Sequence, residues 1–415
     1  MRTGDKMEKE SLAKNMLWSS VGNLVYCICL WAITILTVRL CSYDQAGYLS
    51  LAMSASSTCA TIGLFSMRNY QISDIESEFS VSEYVGSRFF TCLLSVVFCL
   101  VYCLRSSSLY QALCILAFMT IRIAECGVDV IHGVDQKYGR YDIIGKSLLI
   151  RGLMTVVVFT CCMITMNDLL LSLTVTGVVN IIVMIVYDVR KTQHFESIKP
   201  SFDIRKISVL LKKCVPLVIM SFLLSTIPLI PKSSLQTLVS NEMLGIYSSI
   251  GSPTLVVQVF ATYAFNPLLP KLAEYYTRKD YDRFLQVFHK LFVILIAFSF
   301  FIILSASLLG RFGLSILYGK AILEHYNLFI PLIWCTILTA FVWILNSIVI
   351  SIRRIYPMLA LMVVSFGLDI LLNQQFITHF GTNGASYIQM LSYAVFALGM
   401  IMIVEIAIDK EKRKR

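Results

Sequence analysis

The stretch IRIAECGVD, residues 121–129, places Arg122, Glu125 and Asp129 inside an apolar run. Their spacing of i, i+3 and i+7 puts all three within an arc of about 60° on a helix that turns about 100° per residue. Arg122 and Glu125 are then close enough to pair. Lys146 and Arg151 follow in the next apolar run, five residues apart and so on different faces. A charge at the centre of a bilayer costs about 2.5–3.5 kcal/mol on insertion scales, so such residues face a partner or a cavity. Lys146, near the end of its run, can snorkel to water, but Arg151 lies roughly 12 Å further in, at a depth similar to that of Arg122. Guanidinium groups suit bidentate, partly desolvated contacts with phosphate. Together with Arg68 and Arg88, which bracket the polar patch beginning MRNYQISDIE at 67–76, Arg122 and Arg151 can line a cationic vestibule for an anionic cargo. The same spacing also lets Arg122 and Arg151 serve only to satisfy Glu125 and Asp129.

Asp369, in VVSFGLDILLN, is the one acid deep in the second half of the chain. A lone carboxylate at that depth can carry a proton or sodium ion, or simply hydrogen-bond a neighbouring helix. Pro216 and Pro228 punctuate VPLVIMSFLLSTIPLIPK. Proline removes a backbone donor and kinks a helix, so Pro216 and Pro228 are candidate gate or hinge positions. Ordinary termination of a span explains Pro228 equally well. The five histidines are scattered, and no C-x-x-C spacing occurs among the 13 cysteines. Neither metal binding nor a disulfide framework is expected, and no cofactor is called for. Most of these cysteines lie in apolar runs and read as small hydrophobes.

The elements that carry these residues must sit in lipid. Of 415 residues, 57% are hydrophobic and only 14% charged, with a mean hydropathy of +0.75. A soluble domain carries about 25% charged residues. With about 20 apolar residues needed per crossing, twelve spans are expected, near 17–38, 46–66, 87–104, 109–131, 143–163, 168–187, 209–229, 243–263, 289–309, 326–350, 356–376 and 384–408. The third is short and the fourth is charged. The leader MRTGDKMEKESLAKN precedes a first transmembrane helix rather than a cleavage site.

Lysine and arginine set the orientation. With the amino terminus in the cytoplasm, the inside segments hold 27 of the 35 basic residues and the outside segments five, the other three lying within spans. Both termini are therefore expected in the cytoplasm, and the patch at 67–86 becomes a cytoplasmic connection. The net charge of +10 follows from this topology, and the tail DKEKRKR reads as an anchor beside anionic headgroups rather than a nucleic-acid contact.

The predicted organisation is an all-α polytopic membrane protein. It comprises a cytoplasmic leader 1–16, a six-helix lobe 17–187, a cytoplasmic linker 188–208, a second six-helix lobe 209–408 and a basic tail 409–415. AGYLSLAMS at 46 and LGIYSSIGS at 244 open the second span of each half, consistent with a parallel pseudo-two-fold repeat of the kind found in transporters. No phosphate-loop motif is present and every loop is short, so neither a built-in ATPase nor a soluble catalytic domain is expected. Energy must come from an ion gradient or from the cargo's own gradient. The short outside loops also disfavour a membrane glycosyltransferase or polysaccharide polymerase.

KNMLW at 14, AGYLSLAMS, MRNYQISD and PLVIMSFLLSTIPLIPK resemble bacterial O-antigen and capsule repeat-unit flippases. These form the polysaccharide-transport branch of the multidrug/oligosaccharidyl-lipid/polysaccharide exporter superfamily. The resemblance implies two six-helix lobes in a V and alternating access. It also implies a multi-pass protein of the bacterial cytoplasmic membrane whose cargo is a polyprenyl-pyrophosphate-linked oligosaccharide, carried from the inner to the outer leaflet. Partners would be the bilayer, the lipid-linked cargo, and a polymerase and glycosyltransferases of the same pathway. A cationic central cavity in such proteins agrees in kind with Arg122 and Arg151. The competing reading is a drug antiporter of the same superfamily, for which an acidic, cation-binding pocket is expected.

Overall fold

The computed structural model describes residues 2–74, 78–106, 108–254 and 269–413, and among them every regular element is helical. Ten of these helices are long and apolar enough to cross a membrane. They answer to ten of the twelve expected spans. The fourth span is helical too, Leu109–Lys137, but its charges set it apart from the ten. The eighth is described only to Thr254, and its second half lies outside the described residues.

The first compact unit runs to Ser225. It holds α1 (Arg2–Leu40), α2 (Tyr43–Leu64), the short α3 (Met67–Ser73), α4 (Val81–Cys103), α5 (Leu109–Lys137), α6 (Tyr141–Met166) and α7 (Leu169–Val183). A π-helical turn, Met184–Val189, and a last turn, Arg190–Thr192, prolong α7. α8 (Ile204–Thr226) completes the unit and continues through Pro216. Capping residues mark the starts. Ser42, Ser108 and Asp168 each accept a hydrogen bond from the backbone N–H three residues on. Ser80 and Glu83 form a reciprocal capping box on α4, satisfying two donors that a helix start leaves open. Between α2 and α3, Phe65 and Ser66 both take left-handed backbone angles, which breaks the apolar helix just before Arg68.

α8, the seventh expected span, packs against the second and third, and the compact unit extends past residues 188–208 to Ser225. Thr58 donates to the carbonyl of Ser225 at 3.0 Å, the hydroxyls of Ser66 and Ser221 lie 3.3 Å apart, and Phe98 meets Phe222 edge-on. Two ion pairs, Lys206 to Glu83 at 2.7 Å and Lys213 to Glu78, bind the start of α8 to the turn at 78–80 and the first turn of α4. Phe79, Tyr84, Leu210 and Cys214 share a core beneath them.

The second unit begins at Thr226. Its helices are α9 (Leu229–Leu238), α10 (Asn241–Gly251), α11 (Leu269–Thr277), α12 (Tyr281–Tyr318), α13 (Phe329–Ser351), α14 (Ile355–Phe380) and α15 (Thr382–Arg413). Pro228 sits at the start of α9, in the break after Thr226. α12 shows how these helices meet lipid. Leu291, Leu295, Ser299 and Ile302 are buried on one side, while Val293, Phe300, Leu304 and Leu308 are exposed on another. Exposed apolar surface on that scale needs a nonpolar solvent.

Candidate functional site

α5 is the scaffold of the site. Arg122, Glu125, Asp129, His132 and Gln136 follow one another at intervals of three or four residues, forming a polar stripe about 21 Å long at 1.5 Å per residue. Neighbouring helices divide the stripe into two clusters.

In the first cluster Arg122 pairs with Glu125 at 2.6 Å and lies over the ring of Phe118. The hydroxyl of Tyr26, from α1, donates to the same Glu125 carboxylate. Arg151, from α6, lies with its guanidinium carbon 5.8 Å from the centre of the Tyr26 ring. It is only 2% exposed, and among the described residues no carboxylate lies within ion-pairing distance and its Nε and Nη2 have no hydrogen-bond partner. Small residues make this meeting possible. A Cβ on Gly145 would stand 2.2 Å from the carbonyl oxygen of Trp18, and one on Gly22 would stand 2.2 Å from that of Gly145. Only with both glycines can the α1 and α6 backbones approach closely enough to set Tyr26 beside Arg151, the usual logic of small residues at membrane helix contacts.

In the second cluster Arg88, from α4, is 3% exposed. It pairs with Asp129 at 2.8 Å and donates to the carbonyl of Gly63 at 2.5 Å. Arg68, from α3, reaches the same carboxylate at 3.8 Å and donates to Gln136 at 3.0 Å. The four arginines of the sequence analysis therefore lie along one helix face but in two groups. Three of them hold acids, and Arg151 has no acid paired to it among the described residues. Lys146 is exposed and lies over the Trp18 ring, on a different side of α6 from Arg151.

Asp369 belongs to the second unit. It is fully buried, receives a long hydrogen bond of 3.5 Å from Ser392, and its Oδ2 has no partner among the described residues. One turn along α14, Asn373 donates to Ser234 of α9 at 2.5 Å. This site is acidic, unlike the arginine clusters.

Two kinds of residue escaped sequence reasoning. Tyr26 was a generic aromatic until α1 placed it between Arg151 and Glu125. His132 and Gln136 continue the stripe of Arg122 and Asp129 at the same spacing, a signal that lies past the end of the apolar run. Among the described residues no group of His, Cys, Asp and Glu is arranged to hold a metal ion.

No family model matches the chain. The capsular polysaccharide biosynthesis protein CapF of Staphylococcus aureus is 24% identical over 314 residues, which cover 74% of this chain and 78% of that protein. Among solved structures, an inward-facing multidrug resistance MATE family transporter of the MOP superfamily aligns with a TM-score of 0.69 at 11% identity, covering 96% of this chain and 99% of that one. The Vibrio cholerae MATE transporter VcmN aligns at 0.64 and 11% identity, over 98% of both chains. A MOP superfamily transporter from Pyrococcus furiosus, for which a reversed polarity of the binding pocket suggests a different function, aligns at 0.56 and 11% identity, over 97% of this chain and 96% of that one. What these likenesses show is architecture: the chain has the fold of MOP-superfamily transporters.

Proposed function

We propose that this protein is a flippase of the bacterial cytoplasmic membrane, with both termini in the cytoplasm. It moves a polyprenyl-pyrophosphate-linked oligosaccharide from the inner to the outer leaflet by alternating access, driven by an ion gradient. One observation carries the reading: Arg151 is a buried guanidinium with no ion-pair partner among the described residues. In the two α5 clusters four guanidinium groups meet only two carboxylates. A surplus of desolvated positive charge is costly until an anion arrives, and pyrophosphate offers oxygens spaced for guanidinium contacts. The likeness to a capsular polysaccharide biosynthesis protein supports the same cargo class. In such a pathway, glycosyltransferases would supply the cargo and a polymerase would consume it.

The second reading is a multidrug antiporter, favoured by the solved MATE structures and by the buried Asp369. A cationic drug is repelled by Arg151, which is why the flippase reading ranks first. The deciding experiment is a deletion strain. It should accumulate lipid-linked repeat units on the inner leaflet, be rescued by the intact gene, and not be rescued by Arg151→Ala present at normal membrane levels. Full rescue by Arg151→Ala, or drug sensitivity with no accumulated lipid intermediate, would overturn the proposal.

A further inference from the structure

We propose that His132, Asp135 and Asp188 form a proton-binding site in the first unit, whose occupancy couples to transport. The three come together from two helices. The imidazole Nε2 of His132 lies 3.3 Å from Asp188 Oδ1. Thr192 donates to Asp135 Oδ1 at 2.8 Å. His132 is 3% exposed, and Asp135 and Asp188 are fully buried. Yet Oδ2 of each carboxylate has no hydrogen-bond partner among the described residues. Buried polar atoms are nearly always satisfied, so two orphaned oxygens in one side-chain cluster call for a ligand.

The backbone is shaped to make the cluster. Asp188 lies in the π-helical turn Met184–Val189, and single π turns inside α-helices recur at functional sites. Gly127 of α5 makes room for that turn, because a Cβ there would stand 2.5 Å from the sulfur of Met184.

The chemistry of the cluster selects a proton. Two carboxylates that share a desolvated site cannot both ionise cheaply, and Asp135 feels the charge of Asp188 here. Other charges face the pair from every side. Arg68 of α3 and Arg151 of α6 act on His132. Arg140 and Asp142, at the start of α6, act on Asp135. Tyr187, in the π turn itself, adds a phenol. His132 also continues the α5 stripe one turn beyond Asp129, so a proton arriving here alters the field felt by both arginine clusters. The cluster lies just past the ends of the predicted spans 109–131 and 168–187, on the side that the basic-residue count assigns to the cytoplasm. Hydronium there gives a proton to a carboxylate oxygen: one O–H bond of hydronium breaks, one carboxyl O–H forms, and a water molecule is released.

The coupling half of this inference rests on the transport reading; the proton site does not. Infrared difference spectra of the full chain in lipid nanodiscs, taken from about pH 8 to about pH 5, should show a protonated-carboxyl band. Asp135→Asn or Asp188→Asn should each abolish or halve it, and His132→Gln should move its midpoint by about one pH unit or more. Where an amide variant fails to fold, Asp188→Glu in protein isotopically labelled at the aspartate carboxyls gives the same answer, since the band then loses its isotope shift. A band unchanged in Asp135→Asn, Asp188→Asn and Asp188→Glu overturns the site. In proteoliposomes with an imposed pH gradient, Asp188→Asn should carry lipid-linked cargo at a rate indifferent to the gradient, and a retained gradient response overturns the coupling. If the intact protein carries no such cargo while the band titrates as described, only the flippase reading falls.

Discussion

The two units treat intramembrane charge differently. In the first, α5 lines up Arg122, Glu125 and Asp129 on one face, and α3, α4 and α6 bring Arg68, Arg88 and Arg151 against it. In the second, the acid well inside the helices is Asp369, with Ser392 as its neighbour and no cation paired to it. A positive surplus suits a large anionic cargo that brings its own countercharge. A lone acid suits a small cation that can come and go. On the flippase reading, cargo binding falls to the arginines of the first unit, and Asp369 is a second candidate for ion coupling beside the His132 cluster.

The sharpest break would come from Arg151. Arg151→Ala should lower translocation of lipid-linked cargo by tenfold or more, a loss of at least one charge-assisted contact of about 1.5–3 kcal/mol. Arg151→Lys should recover part of it, because an ammonium keeps the charge but lacks the planar fork. Initial rates in proteoliposomes measure both. Equal activity in all three proteins would erase the distinction between the units.

Next in size is stability. Asp129→Asn leaves Arg88 buried and unpaired, a change that costs about 3–5 kcal/mol when one partner of a buried pair is removed. Thermal unfolding in detergent should show a clear drop in midpoint. Asp369→Asn removes an acid that has no cation partner, so the same measurement should show little change or a small gain. Transport by that variant should lose its ion dependence while the cargo still binds. A large destabilisation by Asp369→Asn would mean that the two units manage charge alike.

The smallest effect belongs to the turn at 78–80 before α4, which Lys213 ties to α8. Burial alone would push the Asp74 carboxyl up. The N–H groups of Glu78 and Phe79, the Tyr84 hydroxyl and nearby Lys137 outweigh it and hold Asp74 below the usual carboxylate range. Hydrogen bonds from Lys213 and Tyr70 hold Glu78 below that range as well. Both groups lose protons more readily when folded, so their stabilisation is complete above the ordinary carboxylate pKa of about 4 and fades as pH falls through their lower folded values. Limited proteolysis of the turn should therefore rise on acidification, and more gently in Asp74→Asn. A turn equally resistant at both pH values would remove these carboxylates from its support.

Much of the architecture is legible in the chain because lipid is an undemanding solvent. It asks only for apolar length, and 57% hydrophobic residues in runs of about twenty answer that requirement. The pairing of Arg122 with Glu125 was equally readable, since both residues belong to one helix and a fixed turn of 100° brings them together. Partners on different helices could not be read. Whether Arg151 meets an acid, a tyrosine or lipid depends on how α1 and α6 are rotated about their axes, and periodicity leaves that free.

Composition and spacing alone determined that this is a helical membrane protein with a charged fourth span, since both depend on local chain geometry and solvent. Tertiary structure alone decided that Asp129 would go to Arg88 and Arg68, that Arg151 would be stranded over Tyr26, and that a π turn would carry Asp188 to His132. Those outcomes turn on backbone approaches of a few ångströms, made possible by Gly22, Gly145 and Gly127, and no pattern along the chain records which helices will meet there.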